Sequence, residues 1–87
     1  MDTRLLLLHL EHPLAAYSGN ASVAQVVMAG LNYEGSDYWA NLAVEWLEQG
    51  AAVDADILQA LTRISQNKHF SQRLRHRSTA ILRQATK

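Results

Sequence analysis

Two histidines near the N-terminus have the residue type and spacing that a metal site would need. His9 and His12 lie three residues apart, so one helix could direct both imidazoles at the same ion. Two imidazoles do not complete a coordination shell, and Pro13 biases His12 away from helical geometry. The other two histidines lie too far along the chain to be assigned to the same place. We therefore predict no metal site and no other cofactor.

Acidic pairs could supply a general acid and a general base, but each pair here has a simpler explanation. Glu45 and Glu48 lie on the solvated face of a predicted helix. Asp54 and Asp56 lie at a predicted helix N-terminus, where the helix dipole stabilises carboxylates. No serine lies in a Gly-x-Ser-x-Gly frame, and the glycines are too isolated to form a phosphate-binding loop. We predict that the chain is not an enzyme and has no small-molecule substrate.

A strongly basic segment ends the sequence. The last seventeen residues, SQRLRHRSTAILRQATK, hold four arginines, one lysine and one histidine, and no acid. On a helix, the face opposite the apolar side chains carries Arg73, Arg77, Arg83 and Lys87. Arg75 borders the apolar arc, and we expect it to reach an acid on a neighbouring helix. The four outward cations form the candidate stripe for binding a protein partner or phosphate.

The distribution of charge favours a protein partner for this stripe. Residues 1–62 carry one basic and eight acidic side chains, a net charge of −7, whereas residues 63–87 carry seven basic side chains and no acid, a net charge of +7. Nucleic-acid-binding domains are usually basic overall, and this chain is neutral. The apolar face of the basic helix has no Trp or Phe to enter a membrane. We expect a protein partner, with nucleic-acid binding as the alternative and no membrane contact; a solvated face remains the simplest explanation.

The second predicted helix carries apolar or small side chains on two sides. Val26 and Gly30 lie on one side, and Ala24 and Met28 lie on the other. Such a helix is either enclosed within its own domain or covered by another chain. Since about five short helices offer little cover, we predict a self-association patch at Ala24 and Met28 and a homodimer.

The elements that position these residues are helical throughout. Apolar periodicity and capping residues predict a compact all-α bundle of four to five short antiparallel helices, forming one domain over residues 1–87. The predicted spans are 3–11, from 20 or 22 to 31, 36–50, 54–66, and from 71 onward. Trp39 and Trp46 are expected to be core residues of the third helix. The side chains expected to point inward from the last helix are Leu74, Ser78, Ile81, Leu82 and Ala85.

The compartment is predicted from two features of the composition. The sequence has no cysteine, which suits a reducing environment. The leucine run in MDTRLLLLHLEHP is too short, and follows too little positive charge, to be a signal peptide. We expect a cytoplasmic protein.

Residues 36–86 resemble HEAT-type helical repeats. The segments that carry the resemblance are SDYWANLAVEWLEQG, DADILQALTRISQN and SQRLRHRSTAILRQA. They are similar to the A helix and the B helix of one repeat and the A helix of the next. The resemblance implies stacked helical hairpins.

Overall fold

The computed structural model describes residues 3–19, 21–33 and 37–85. They form five α-helices and one short 3-10 helix, and these described residues include no strand, which confirms the all-α prediction. The helices are α1 (Thr3–His9), α2 (Val23–Leu31), α3 (Asp37–Glu48), α4 (Ala55–Gln66) and α5 (Gln72–Ala85), with the 3-10 helix at Leu14–Ala16 between α1 and α2. Within the described ranges, no helix has both the length and the apolar character needed to cross a bilayer.

Side-chain caps fix where three of the helices begin. The side chains of Ser22, Asp54 and Ser71 each accept a hydrogen bond from the backbone N–H three residues later, at 3.1, 2.8 and 3.2 Å. The Gln25 side chain completes a capping box by accepting from the backbone N–H of Ser22 at 2.9 Å. These bonds satisfy donors that the first turn of a helix leaves unpaired. The predicted start at Ser22 is confirmed, whereas the other predicted start, Asn20, lies outside the described residues.

A Schellman motif ends α3. The backbone N–H of Gly50 donates to the backbone carbonyl of Leu47 at 3.2 Å, and the backbone N–H of Ala51 donates to the backbone carbonyl of Trp46 at 3.1 Å. Gly50 has φ 114°, a conformation that glycine adopts without a steric penalty. The predicted stop at Gly50 is therefore confirmed, and the predicted cap Ser36 lies outside the described residues.

The helices are arranged as two antiparallel hairpins packed side by side. The most extensive contacts are those of α4 with α5 and of α2 with α3, and the two helices of each pair are consecutive in the chain. The hairpins meet through α2 with α4 and through α3 with α5, while α1 packs on α2. The resemblance to HEAT-type repeats implies that α3 pairs with α4. In the structure α3 pairs with α2, and α4 pairs with α5. The resemblance itself stays a prediction.

The core contains buried side chains from all five α-helices and includes Trp46 as its largest fully buried side chain. The Trp46 Nε1–H donates to the backbone carbonyl of His12 at 2.8 Å, which ties the chain after α1 to α3. The Tyr17 ring packs against Trp46, with 5.4 Å between centroids. The core role predicted for Trp46 is confirmed, whereas Trp39 is half-buried at the edge of the core.

The structure corrects the predicted ends of two helices. The first helix ends at His9, two residues earlier than predicted, and turns carry the chain on to His12. Ala85 is exposed and does not point inward as predicted. Leu74, Ser78 and Ile81 are buried as predicted, and Leu82 is half-buried.

At Gly30, α2 packs closely against α3 and against Leu10, which directly follows α1. A Cβ atom at this residue would lie 2.6 Å from the Leu10 Cδ1, 2.9 Å from the Ala43 Cβ and 2.9 Å from the backbone oxygen of Trp39. The leucine side chain can move, but the backbone carbonyl of α3 cannot move without shifting the whole helix. Glycine therefore sets the separation of α2 and α3.

We expect Gly30→Ala to lower the free energy of unfolding by about 1–3 kcal/mol because of overpacking. This loss occurs although alanine is the better helix former by about 1 kcal/mol. Urea unfolding followed by circular dichroism measures the change. The exposed α5 substitution Gln84→Ala serves as the control and should stay within about 0.5 kcal/mol of the wild type. A Gly30→Ala variant as stable as the wild type would show that this contact does not limit the helix separation.

Candidate interaction surfaces

Arg77 is held by the neighbouring helix α3. Its Nη2 lies 2.6 Å from Glu48 Oε1, and its Nε donates to Oε2 of the same carboxylate at 3.3 Å. Its Nη1 also donates to the Asn41 Oδ1 at 3.1 Å. The hydrogen bond to Glu48 raises the pKa of Arg77 above its usual value, so the guanidinium stays charged. This residue of the predicted stripe is thus already paired within the chain.

Arg77, and not Arg75, is the arginine that reaches a carboxylate of a neighbouring helix. Two residues correspond to about 200° of rotation on a helix, so the two side chains leave α5 on different flanks. The flank of Arg77 faces α3 and Glu48. Arg75 is half-buried, and its Nε atom is buried with no hydrogen-bond partner among the described residues. The prediction for Arg75 is therefore wrong, because the sequence does not show which flank faces the acidic helix.

The exposed part of the predicted stripe is smaller than the sequence indicates. Arg73 and Arg83 are exposed on α5, and His76 is exposed between them. Lys87 lies outside the described residues. Within the described part of α5, the exposed residues of the stripe are therefore spread along the helix rather than gathered at one place.

Asp37 has a second role that sequence reasoning missed. It lies in the first turn of α3, as predicted, but its Oδ2 also accepts a hydrogen bond from the backbone N–H of Ser71 at 2.7 Å. Ser71 caps α5, so one carboxylate joins the starts of two helices. Together with the Glu48–Arg77 pair, this bond shows that α3 and α5 run in the same direction.

The predicted self-association patch lies on the outer flank of α2. Ala24 and Met28 are half-buried and pack against the edge of the core. No residue of α2 is charged. The structure therefore places Ala24 and Met28 on one partly covered, uncharged flank.

A groove of about 360 Å³ separates this flank from α4. The buried side chain of Ala60 contributes to its wall, and the Arg63 Nη2 donates to the Asn32 Oδ1 at 2.6 Å across one end. The lining residues are Met28, Asn32, Asp56, Gln59, Ala60 and Arg63. Sequence reasoning used Asp56 only as a helix-start acid and did not single out Arg63. The signal was present in DADILQALTR, where the two side chains lie seven residues apart on one helical face.

The residues weighed for metal binding and catalysis have other contacts. The His9 ring packs edge-on against Tyr17 with 5.0 Å between centroids, and His12 lies beyond the end of α1. No group of three or more His, Asp or Glu side chains that could hold a metal ion occurs within the described part of the chain.

Tyr38 is exposed and donates to the Glu11 carboxylate at 3.3 Å. Desolvation, followed by the charge of Glu11, raises the pKa of Tyr38 above that of an ordinary tyrosine.

Comparison of the chain with protein-family models, curated proteins and solved structures finds no match. The resemblance to HEAT-type repeats accordingly stays a prediction.

We expect a double-mutant cycle on Arg77 and Glu48 to give a coupling energy of about 0.5–1 kcal/mol. The pair is bidentate, but the two side chains are 22% and 44% exposed, so solvent screens their attraction. The cycle uses Arg77→Gln, Glu48→Gln and the double variant in urea unfolding. A matched cycle of Arg73→Gln with Glu48→Gln should give a coupling near zero. Equal coupling in the two cycles would contradict a specific Arg77–Glu48 interaction.

Proposed function

We propose that this chain is a non-catalytic protein-interaction module that forms a homodimer through the outer flank of α2. The observation that carries the proposal is that α2 has no charged side chain although its flank with Ala24 and Met28 is only half-buried. Exposed helix flanks usually carry charged residues, whereas the centres of protein interfaces are depleted of them. The lack of cysteine suits a reducing compartment, so the proposal includes a cytoplasmic location.

The environment of α5 supports a protein partner over nucleic acid. Arg77 is paired with Glu48, and Arg75 has its Nε turned into the fold. The adjacent helix α3 also exposes Glu45, whose charge repels a phosphate backbone. Each of these features reduces the positive potential that sequence-independent phosphate binding needs.

We expect the peroxide oxidation rate of Met28 to fall several-fold as the protein concentration is raised from low micromolar to a few hundred micromolar. Burial in a homodimer protects the thioether, and the mass from sedimentation equilibrium should double over the same range. Peptide mass spectrometry measures the oxidation, with the urea-unfolded chain as the reference for full exposure. A monomeric mass with rapid, concentration-independent oxidation of Met28 would contradict the homodimer.

Nucleic-acid binding is the second candidate, favoured by the exposure of Arg73 and Arg83 on a helix without acids. Together with Lys87 these cations would contact phosphates, and affinity would fall steeply with salt. Our expectation is that fluorescence anisotropy of labelled random duplex and single-stranded DNA stays flat at low and at physiological salt. Micromolar, salt-dependent binding that is lost in the double variant Arg73→Gln/Arg83→Gln would favour this second candidate instead. A Gln72→Ala variant on the same helix is the control.

A further inference from the structure

The two ends of the α2–α4 groove carry opposite charges. Asp56 and Arg63 are both exposed and both line the groove. A separation of seven residues on a helix brings the side chains back to nearly the same face, about 10 Å apart along the axis. Gln59 and Ala60 occupy the midpoint between them. One face of α4 therefore has an acidic end at Asp56, an uncharged centre and a basic end at Arg63.

The α2 side of the groove adds an uncharged strip to this pattern. Met28 lines the groove together with Gln59 and Ala60, so it lies level with the neutral centre of α4. Asn32 lies level with Arg63 and accepts its hydrogen bond, which holds the guanidinium at the groove end. A side chain held in position loses less conformational entropy when a partner binds.

This arrangement is complementary to itself. Consider a two-fold axis that lies in the interface, level with Gln59 and Ala60, parallel to the exposed face of α4 and perpendicular to the helix. This axis places a second α4 opposite the first and reverses its direction. The acid of one copy then lies opposite the base of the other, twice, and the Met28 side chains of both copies approach each other near the axis. An interface of this kind is isologous and closes at two subunits.

We propose that the α2–α4 face binds a second copy of this chain about this axis, with Asp56 of each copy paired to Arg63 of the partner subunit. The inference rests on the proposed function, since it names the geometry of that homodimer. The grooves of the two copies then face each other with the Met28 side chains between them, and the two ion pairs lie at the rim. Complementary rim charges fix the orientation and exclude other registers, because like charges placed together are strongly unfavourable.

The other charged face of the molecule fits a second copy less well. Between α3 and α5 the carboxylate of Glu48 is already paired with Arg77 of the same chain. A partner that used this face would have to displace an existing bidentate pair. On the α2–α4 face the described contact of Arg63 is with a neutral amide, so its charge remains available to a carboxylate.

Charge exchange tests this geometry directly. Asp56→Lys alone places two cations opposite each other at both rims, and Arg63→Glu alone places two carboxylates there. We expect each single variant to dimerise at least about tenfold more weakly than the wild type in sedimentation equilibrium. An equimolar mixture of the two variants restores both ion pairs and should form a heterodimer. The double variant Asp56→Lys/Arg63→Glu should dimerise about as well as the wild type.

A matched control separates the effect of position from the effect of charge. Glu45→Lys makes the same change of charge as Asp56→Lys on the exposed surface of α3, and it should leave the dimer constant unchanged. Circular dichroism melts confirm that each variant is folded, because both exchanges act against the dipole of α4. The mixture provides a second check, since recovery of dimer from two weak variants cannot arise from misfolding.

The outcomes distinguish this inference from the proposed function. A wild-type dimer that Asp56→Lys leaves intact, or a mixture that stays monomeric, overturns the two-fold geometry and leaves the interaction module standing. A wild-type chain that is monomeric at a few hundred micromolar overturns both. A dimer that Glu45→Lys weakens would move the interface to the α3 side and also overturn the inference.

Discussion

The close approach of α2 and α3 at Gly30 is the contact on which the rest of the architecture depends. The backbone of α3 passes so near that a single Cβ atom would meet the Trp39 carbonyl at 2.9 Å. With α3 at this distance, its Asp37 and Glu48 lie within reach of the start and the middle of α5. The second hairpin can therefore pack beside the first, and its α4 forms the groove with α2.

The separation of charge along the sequence is partly balanced within the fold. The acidic first part and the basic last part of the chain meet where α3 packs beside α5. Glu48 forms an ion pair with Arg77 of the basic helix, and Asp37 accepts a hydrogen bond from the backbone N–H of Ser71, which caps the same helix. The Glu48–Arg77 pair therefore balances part of this separation of charge within the described residues. An arginine-rich helix can therefore stabilise its own fold as well as bind a partner.

Local features could be predicted from the sequence, and features that depend on the neighbour of each flank could not. The caps at Ser22, Asp54 and Ser71 are encoded within four residues each, so pattern and propensity were sufficient. Whether Arg75 or Arg77 pairs with Glu48 depends on which side of α5 packs against α3, and the tertiary structure determines that side. The groove beside Met28 depends on the pairing of α2 with α4, which are separated by a complete helix in the chain. The common flank of Ala24 and Met28 was predicted, whereas the charged residues Asp56 and Arg63 beside it were not.

Burial within the chain does not by itself explain the absence of charge from α2. Its buried residues, Val26 and Val27 among them, must be apolar. The half-exposed flank is different, because a lysine or glutamate there could extend into water, as Glu45 does on α3. A partner that covers the flank removes that freedom, since an unpaired charge is costly to bury. Charge on this face occurs instead at Asp56 and Arg63, at the two ends of the groove, where a second copy can pair it.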